Sequence, residues 1–341
     1  MTVVLDCLCA GIVVADSVCQ PLAMMPPPGT LARTERVEFT IGGCAANVAV
    51  DMAKLGLRVG VSGRVGNDVF GREVRDRLVA ASVECSELVL SSTAPTSSTF
   101  VLNVRGEDRR FIHCVGANAE YDGRQVTAET IRAAKVLYVG GFGLLEALTP
   151  ECVVRMFCLA REANVTTILD VVLPETGTLA GWIEAVAPWA DYFFPNNDEA
   201  ERLCGETDPV RQARHFRDLG VRDVVITCGR RGSLLLGPDG QLESGVFSVE
   251  AIDATGTGDA FVSGFVFGLL RGADTTECLR LGTAMGASCV RSMGATTGVF
   301  HAHELLTFVE THPLPIRPTV AAETQPTLGL RNHPTDRPIT R

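Results

Sequence analysis

The sequence predicts an α/β protein, a parallel or mostly parallel sheet covered by helices on both faces, with a small β-sheet lid. Short apolar runs alternate along the chain with longer stretches whose apolar residues recur at helical spacing, and strand after helix after strand implies parallel strands joined by crossovers. A chain of 341 residues, 46% hydrophobic and 21% charged, can bury one large core and a small appendage. Two extended stretches interrupt the alternation, and they supply the lid.

In chain order, strands are expected at residues 3–14, 58–63, 136–139, 166–171, 192–194 and 223–227. Helices are expected at 44–55, 71–81, 149–163, 198–204, 209–219, 258–271, 275–291 and 303–310. The helix at 44–55 opens on small residues and stops at Gly56, and the one at 198–204 follows Pro195. The interrupting stretches are 36–39 and 98–114; in the second, Thr99 to Val104 and Arg109 to His113 flank a turn at Arg105-Gly106-Glu107-Asp108. An ordinary surface hairpin would read the same way. Pro313, Pro315, Pro318, Pro326, Pro334 and Pro338 block helix and ladder alike, so residues 311–341 are expected as an extended or disordered tail. The folded domain is then 1–310, its lid drawn from about 14–40 and 97–115.

A formal charge of −10 argues against nucleic acid as a partner, because phosphate backbones call for clustered Lys and Arg. No apolar run approaches the roughly 20 residues that cross a bilayer, and Asp6 comes too early for a secretory signal, so a cytoplasmic protein without a membrane partner is expected. The twelve cysteines are scattered with no CxxC pair, which reads as buried, reduced thiols. Cys44 is the one whose setting would bring its thiol near a ligand.

Two blocks carry chemistry. Asp253-Ala254-Thr255-Gly256-Thr257-Gly258-Asp259 places a carboxylate at the mouth of a helix behind small residues. Glycines let backbone N–H groups converge on an anion, and the helix start adds its unpaired amides and positive dipole end. An acid beside an anion makes sense as the base that takes a proton from an attacking hydroxyl. A glycine turn ending in Asp is also how a plain buried helix is capped. The segment is neither a GxxxxGK[ST] loop nor a complete GxGxxG fingerprint. The second block, Ile41-Gly42-Gly43-Cys44-Ala45-Ala46-Asn47, starts a helix on glycines that allow close approach of a ligand, with Asn47 one turn in offering a donor and an acceptor to a polyhydroxylated substrate. Tight helix packing would explain the same small residues.

Together the blocks resemble the two signatures of the ribokinase-like carbohydrate kinase family, the PfkB family, in order and spacing. Smaller matches lie between them at Gly63-Arg64-Val65-Gly66-Asn67-Asp68, Pro195-Asn196-Asn197-Asp198-Glu199 and Thr227-Cys228-Gly229-Arg230-Arg231-Gly232. The resemblance implies a three-layer αβα sandwich with a β-sheet lid that often dimerises, and a cytoplasmic kinase using ATP and Mg2+. It implies Asp259 as base, with the amides of Gly256, Thr257, Gly258 and Asp259 as anion hole. Asp16, Gly42, Gly43 and Asn47 would contact the sugar. Asn196, Thr227, Gly229 and Gly232 would serve the nucleotide, and Glu199 the magnesium through water. Asp253 and Thr255 resemble ligands of a monovalent cation, K+, in some relatives, with Ser292 and Gly294 in the loop that completes such sites.

The reaction so implied is ATP-dependent phosphorylation of a hydroxymethyl group on a small sugar or sugar derivative. Departures narrow it: Asp170-Val171-Val172-Leu173-Pro174 stands where fructokinase-like and ketodeoxygluconate-kinase-like members show D-x-N-x-R, and both the Asn and the Arg are missing. A nucleoside kinase of the same family is the alternative, with Phe100, Phe111 and Phe142 as stacking candidates. A catalytically silent ligand-binding relative is another, though such a protein would be expected to lose Asp259.

Overall fold

The computed structural model describes residues 4–107, 110–175 and 179–319. Its strands are β1 Leu5–Gly11, β2 Val14–Cys19, β3 Val37–Gly42, β4 Val59–Gly66, β5 Leu88–Ser91, β6 Ser98–Leu102, β7 Arg110–Cys114, β8 Ala134–Phe142, β9 Thr166–Val171, β10 Tyr192–Phe193, β11 Asp223–Thr227, β12 Ser233–Gly237, β13 Gly240–Ser244 and β14 Ile316–Thr319. Its helices are α1 Cys44–Lys54, α2 Val69–Ala80, α3 Ala128–Arg132, α4 Pro150–Glu162, α5 Ala180–Val186, α6 Asn197–Cys204, α7 Pro209–Asp218, α8 Thr257–Leu270, α9 Thr275–Cys289 and α10 Ala302–Thr311.

The main sheet runs β14-β13-β12-β11-β10-β9-β8-β1-β4-β5. From β11 through β5 every neighbour is parallel, and β12, β13 and β14 extend one edge antiparallel. Successive side chains of a strand face opposite ways, and both faces are covered. Leu8, Leu137 and Val139 pack with Val153, Met156, Phe157 and Phe216 of α4 and α7. Cys7, Cys9, Val136 and Tyr138 pack with Val48, Met52, Val74, Phe261 and Phe265 of α1, α2 and α8. Helix, sheet, helix is the three-layer sandwich expected.

A separate four-stranded sheet, ordered β3-β2-β6-β7, is the lid. The strand expected over 3–14 is broken into β1 and β2, and glycine explains the break. Gly11 has φ +142, and a Cβ there would lie 1.9 Å from the carbonyl oxygen of Gly140 in β8. The two backbones come so close that no side chain fits. The chain leaves the main sheet there and re-forms in the lid as β2. Asp108 and Arg109 of the expected hairpin turn lie outside the described residues.

Strands β5, β12, β13 and β14 and helices α3 and α5 lie beyond the expected set. Strand β14 pairs with β13 on the sheet's edge, where Pro318 is tolerated. The remainder of the expected tail, from 320, lies outside the described residues. Among the described residues no helix is long and apolar enough to cross a membrane. All twelve cysteines are free, and Cys114 in the lid is exposed.

Candidate active site

The parallel strands finish along one edge, where open α/β sheets bind ligands. Asp16 reaches that edge because β2 carries it over from the break after β1. Its carboxylate lies against Gly42: a Cβ on residue 42 would sit 2.0 Å from Asp16 Oδ2. Glycine at 42 is therefore the space that Asp16 occupies. Gly43, φ +88, is the N-cap of α1, and a Cβ there would lie 2.5 Å from the carbonyl oxygen of Ile12. Asn47 follows one turn later, nearly buried, and its Nδ2 donates to Asp259 Oδ2 over 2.8 Å.

Helix α8 begins without a side-chain cap. Gly256 is its N-cap in the left-handed conformation, φ 76 and ψ 5, and a Cβ on it would lie 2.3 Å from Ala295 Cβ. Open space faces Gly258. An uncapped first turn fronted by open space leaves amides that an anion could reach. Asp259 sits in that turn, its carboxylate buried.

The site is rich in acids. Burial pushes the Asp259 carboxyl up to about 6, against the hydrogen bonds from Asn47 and Cys44. Asp16 is likewise pushed up to about 6 by burial, opposed by Thr99 and assisted by the charge of Asp259. Asp170, at the end of β9, is driven well up by burial and then by Asp259 and Glu199, while Tyr138 Oη donates to its Oδ2 over 2.6 Å. The Cys44 thiol, Asp170 and Asp259 lie within 4.8 Å of one another. Burial and the charge of Asp259 push that thiol well above its ordinary range, so it is a donor here and no nucleophile.

Asn196 and Glu199 close the start of α6 on each other. Asn196 Oδ1 accepts from the Glu199 amide at 2.8 Å, and Glu199 Oε2 accepts from the Asn196 amide at 2.9 Å. Burial raises the Glu199 carboxyl to about 7, with Asp259 adding to the rise. Thr227 ends β11 beside Asn196, Gly229 has φ +55 with open space beside it, and Gly232 is fixed by β13, since a Cβ there would lie 1.9 Å from the carbonyl oxygen of Ser244. The Asp253 carboxylate takes the amide and hydroxyl of Thr255 at 3.0 and 2.7 Å and the amide of Gly294 at 3.0 Å. It ties the turn before α8 to the loop after α9.

The structure thus sets Asp16 against Gly42, brings Asn47, one turn after Gly43, onto Asp259 in the first turn of α8 behind Gly256, Thr257 and Gly258, and pairs Asn196, hydrogen-bonded to Glu199, with Thr227. Tyr138 and Asp51 were not singled out from sequence. Asp51 is wholly buried in α1, and an acid four residues after Asn47 on an otherwise apolar helix face was the signal available. Phe142 is wholly buried against Trp182, with no face open to stack on a ligand.

Residues 5–301 match the family profile described as pfkB family carbohydrate kinase. The chain is 27% identical to a nucleoside kinase of Methanothermobacter thermautotrophicus, over 80% of this chain and 86% of the relative. It is 26% identical to a ribokinase of Haemophilus influenzae, over 83% of this chain and 92% of the relative. The solved structure of Arabidopsis thaliana ribokinase complexed with ribose and ATP superposes with a TM-score of 0.78 at 22% identity, covering 90% of this chain and 99% of that one.

Proposed function

The chain belongs to the pfkB family of carbohydrate kinases, and from that premise we propose that it transfers the γ-phosphoryl group of ATP to a hydroxymethyl group of a small, uncharged sugar. The observation that carries this reading is the Asp259 carboxylate, buried at the uncapped mouth of α8 and held by Asn47. With its carboxyl at about 6, Asp259 is ionised at neutral pH yet basic enough to take the acceptor proton as the new bond to phosphorus forms. The amides of Gly256, Thr257, Gly258 and Asp259 receive the charge spread over the transferring group.

Asp16, Gly42 and Gly43 face the acceptor hydroxyls. The carboxylates of Asp16 and Asp259, ionised at neutral pH, would repel a sugar acid or sugar phosphate, which agrees with the missing Asn and Arg after Asp170. A base sandwiched between aromatics finds little support. In the lid, Phe100 is opposite Ile112 and Phe111 opposite Val101, so Phe100 and Phe111 occupy opposite faces of the sheet.

Thr227, Gly229 and Asn196 run beside the nucleotide, and Gly232 shapes their loop. Oxygen donors suit magnesium, and Glu199 would hold the ion's waters near the phosphates, where the ion neutralises their charge. Asp253 and Thr255 frame a turn whose oxygens would take K+; equal rates in sodium and potassium would remove that ion from the scheme. On the lid's outer face Phe100 and Ile112 are exposed, which supports a homodimer through the lid.

The test is nucleotide-coupled ADP release with Mg-ATP across neutral pentoses and hexoses, sugar acids, sugar phosphates and nucleosides. Turnover of a neutral sugar is expected. Turnover confined to nucleosides or to anionic acceptors would replace the reading, and ADP release no greater than an Asp259→Asn background on every acceptor would favour a silent binding protein.

A further inference from the structure

Asp51 lies one turn beyond Asn47 on α1, and nothing in the proposed reaction uses it. Residues four apart on a helix share a face. Asp51 has no exposed surface and Asn47 has 4%. Three oxygens on this face, Asn47 Oδ1 and both carboxylate oxygens of Asp51, are buried without any hydrogen-bond partner. Three buried acceptors on one helix face with no donor would be very costly in a protein interior.

The neighbouring donors are engaged elsewhere. Ser263 of α8 donates to the carbonyl oxygen of Asp259 at 2.8 Å. Cys289 of α9 points its thiol at the carbonyl oxygens of Thr255 and Ala295, 3.2 and 3.1 Å away. Lys54 of α1 donates to the carbonyl oxygen of Thr296 over 2.5 Å. The other end of the Asn47 amide is bound to Asp259. What is lacking is a donor between Asn47 and Asp51, and a carboxyl group supplies one when it carries a proton.

We propose that Asp51 is a protonated carboxylic acid in the folded enzyme and donates its proton in a hydrogen bond to Asn47 Oδ1, fixing the amide so that Nδ2 faces Asp259. Asp51 is then a positioning residue. It orients the group that orients the base, and its neutrality spares Asp259 a second negative charge one helix away. The titratable groups acting on it agree: burial drives its carboxyl well up, the charge of Asp259 from α8 adds to this, and Lys54 alone opposes. Cys289, facing it from α9, is itself raised and uncharged.

The inference rests on Asp259 being the base, so its test includes a measurement independent of turnover. Infrared spectra at pH 8 are expected to show a protonated carboxyl band that is lost in Asp51→Asn. If Asp51 is instead ionised and solvated by trapped water, Asp51→Asn removes no intensity from that band, and a carboxyl region unchanged by the substitution overturns the proposal whatever the enzyme phosphorylates. In steady-state kinetics, Asp51→Leu removes the donor without leaving a cavity. It should lower kcat about tenfold with KM for ATP unchanged, the scale of one lost hydrogen bond. Asp51→Asn restores a donor and should recover most of that loss, without the fall in kcat that wild type should show when Asp51 ionises at high pH. Parent activity in Asp51→Leu, or an Asp51→Asn as impaired as Asp51→Leu, would overturn it. Thermal unfolding checks each variant, and if Asp51→Leu does not fold, the infrared band and the Asp51→Asn pH profile decide.

Discussion

Helices α6 and α8 start along the same edge of the same sheet, and each carries an acid at its third position, Glu199 in one and Asp259 in the other. The two acids do opposite things. Glu199 reaches back to the Asn196 amide while Asn196 accepts from Glu199, so α6 is closed by a reciprocal cap. The start of α8 is a left-handed glycine with no side chain to offer, and Asp259 turns away to Asn47 on another helix. A capped terminus has used its amides on itself. An uncapped one leaves first-turn amides without a side-chain partner, and its acid is spent on a neighbouring helix instead.

That contrast is tested most severely at Asp259. Asp259→Asn keeps the shape and removes the basic group, so kcat should fall by about two to four orders of magnitude while the fold and ATP binding persist. Single-turnover ADP formation alongside nucleotide binding measures both. A parent rate in this variant would assign the chemistry elsewhere.

At Glu199 the contrast is sharpened, because a capping acid that also steadies magnesium has two measurable duties. Glu199→Gln retains a side-chain oxygen for the cap and removes the charge, so helix and melting temperature should barely change. The magnesium concentration giving half-maximal rate should rise on the order of tenfold, the usual scale for losing a group that orients a metal's shell. An unchanged magnesium requirement with a lower melting temperature would make Glu199 a cap and nothing else.

Asp259 also sets the acid limb of the pH profile. Asp259 must be ionised to act, and its carboxyl stands at about 6. The rate should therefore fall as pH drops through 6, about tenfold for each unit below it. Neutral and mildly alkaline buffers should give a plateau on this limb. A profile flat down to pH 4 would mean that the active base is not this buried carboxyl.

The difference between the two helix starts was partly legible from sequence, and the reason is locality. Gly256, Gly258 and Asp259 act within one turn of chain, so their residue types announce the geometry. The same holds for the Asn196 and Glu199 cap, and for β9 and β11, whose apolar runs matched the expected bounds. Contacts between distant segments were not legible. The break at Gly11 is imposed by the backbone of β8, and Tyr138 reaches Asp170 only because β8 and β9 are neighbours. Asp51 reads as a stray acid until α1 is laid against α8 and α9. Strands β12 and β13, joined across Gly237-Pro238-Asp239-Gly240, did carry a local turn signal.

The smallest effect is expected at a third helix start, which isolates capping from chemistry. Asp274 caps α9 by accepting from the Glu277 amide at 2.8 Å, as Asn196 does for α6. It lies just past the end of α8, a whole helix length from the Asp259 mouth, and faces no ligand. Asp274→Ala should lower stability by about 1 kcal/mol, read as a modest drop in denaturant midpoint, because one first-turn amide loses its partner. The rate per folded molecule should be unchanged. If it fell as well, helix α9 would be transmitting strain to the loop that holds Asp253 and Gly294, and capping could no longer be treated apart from the site.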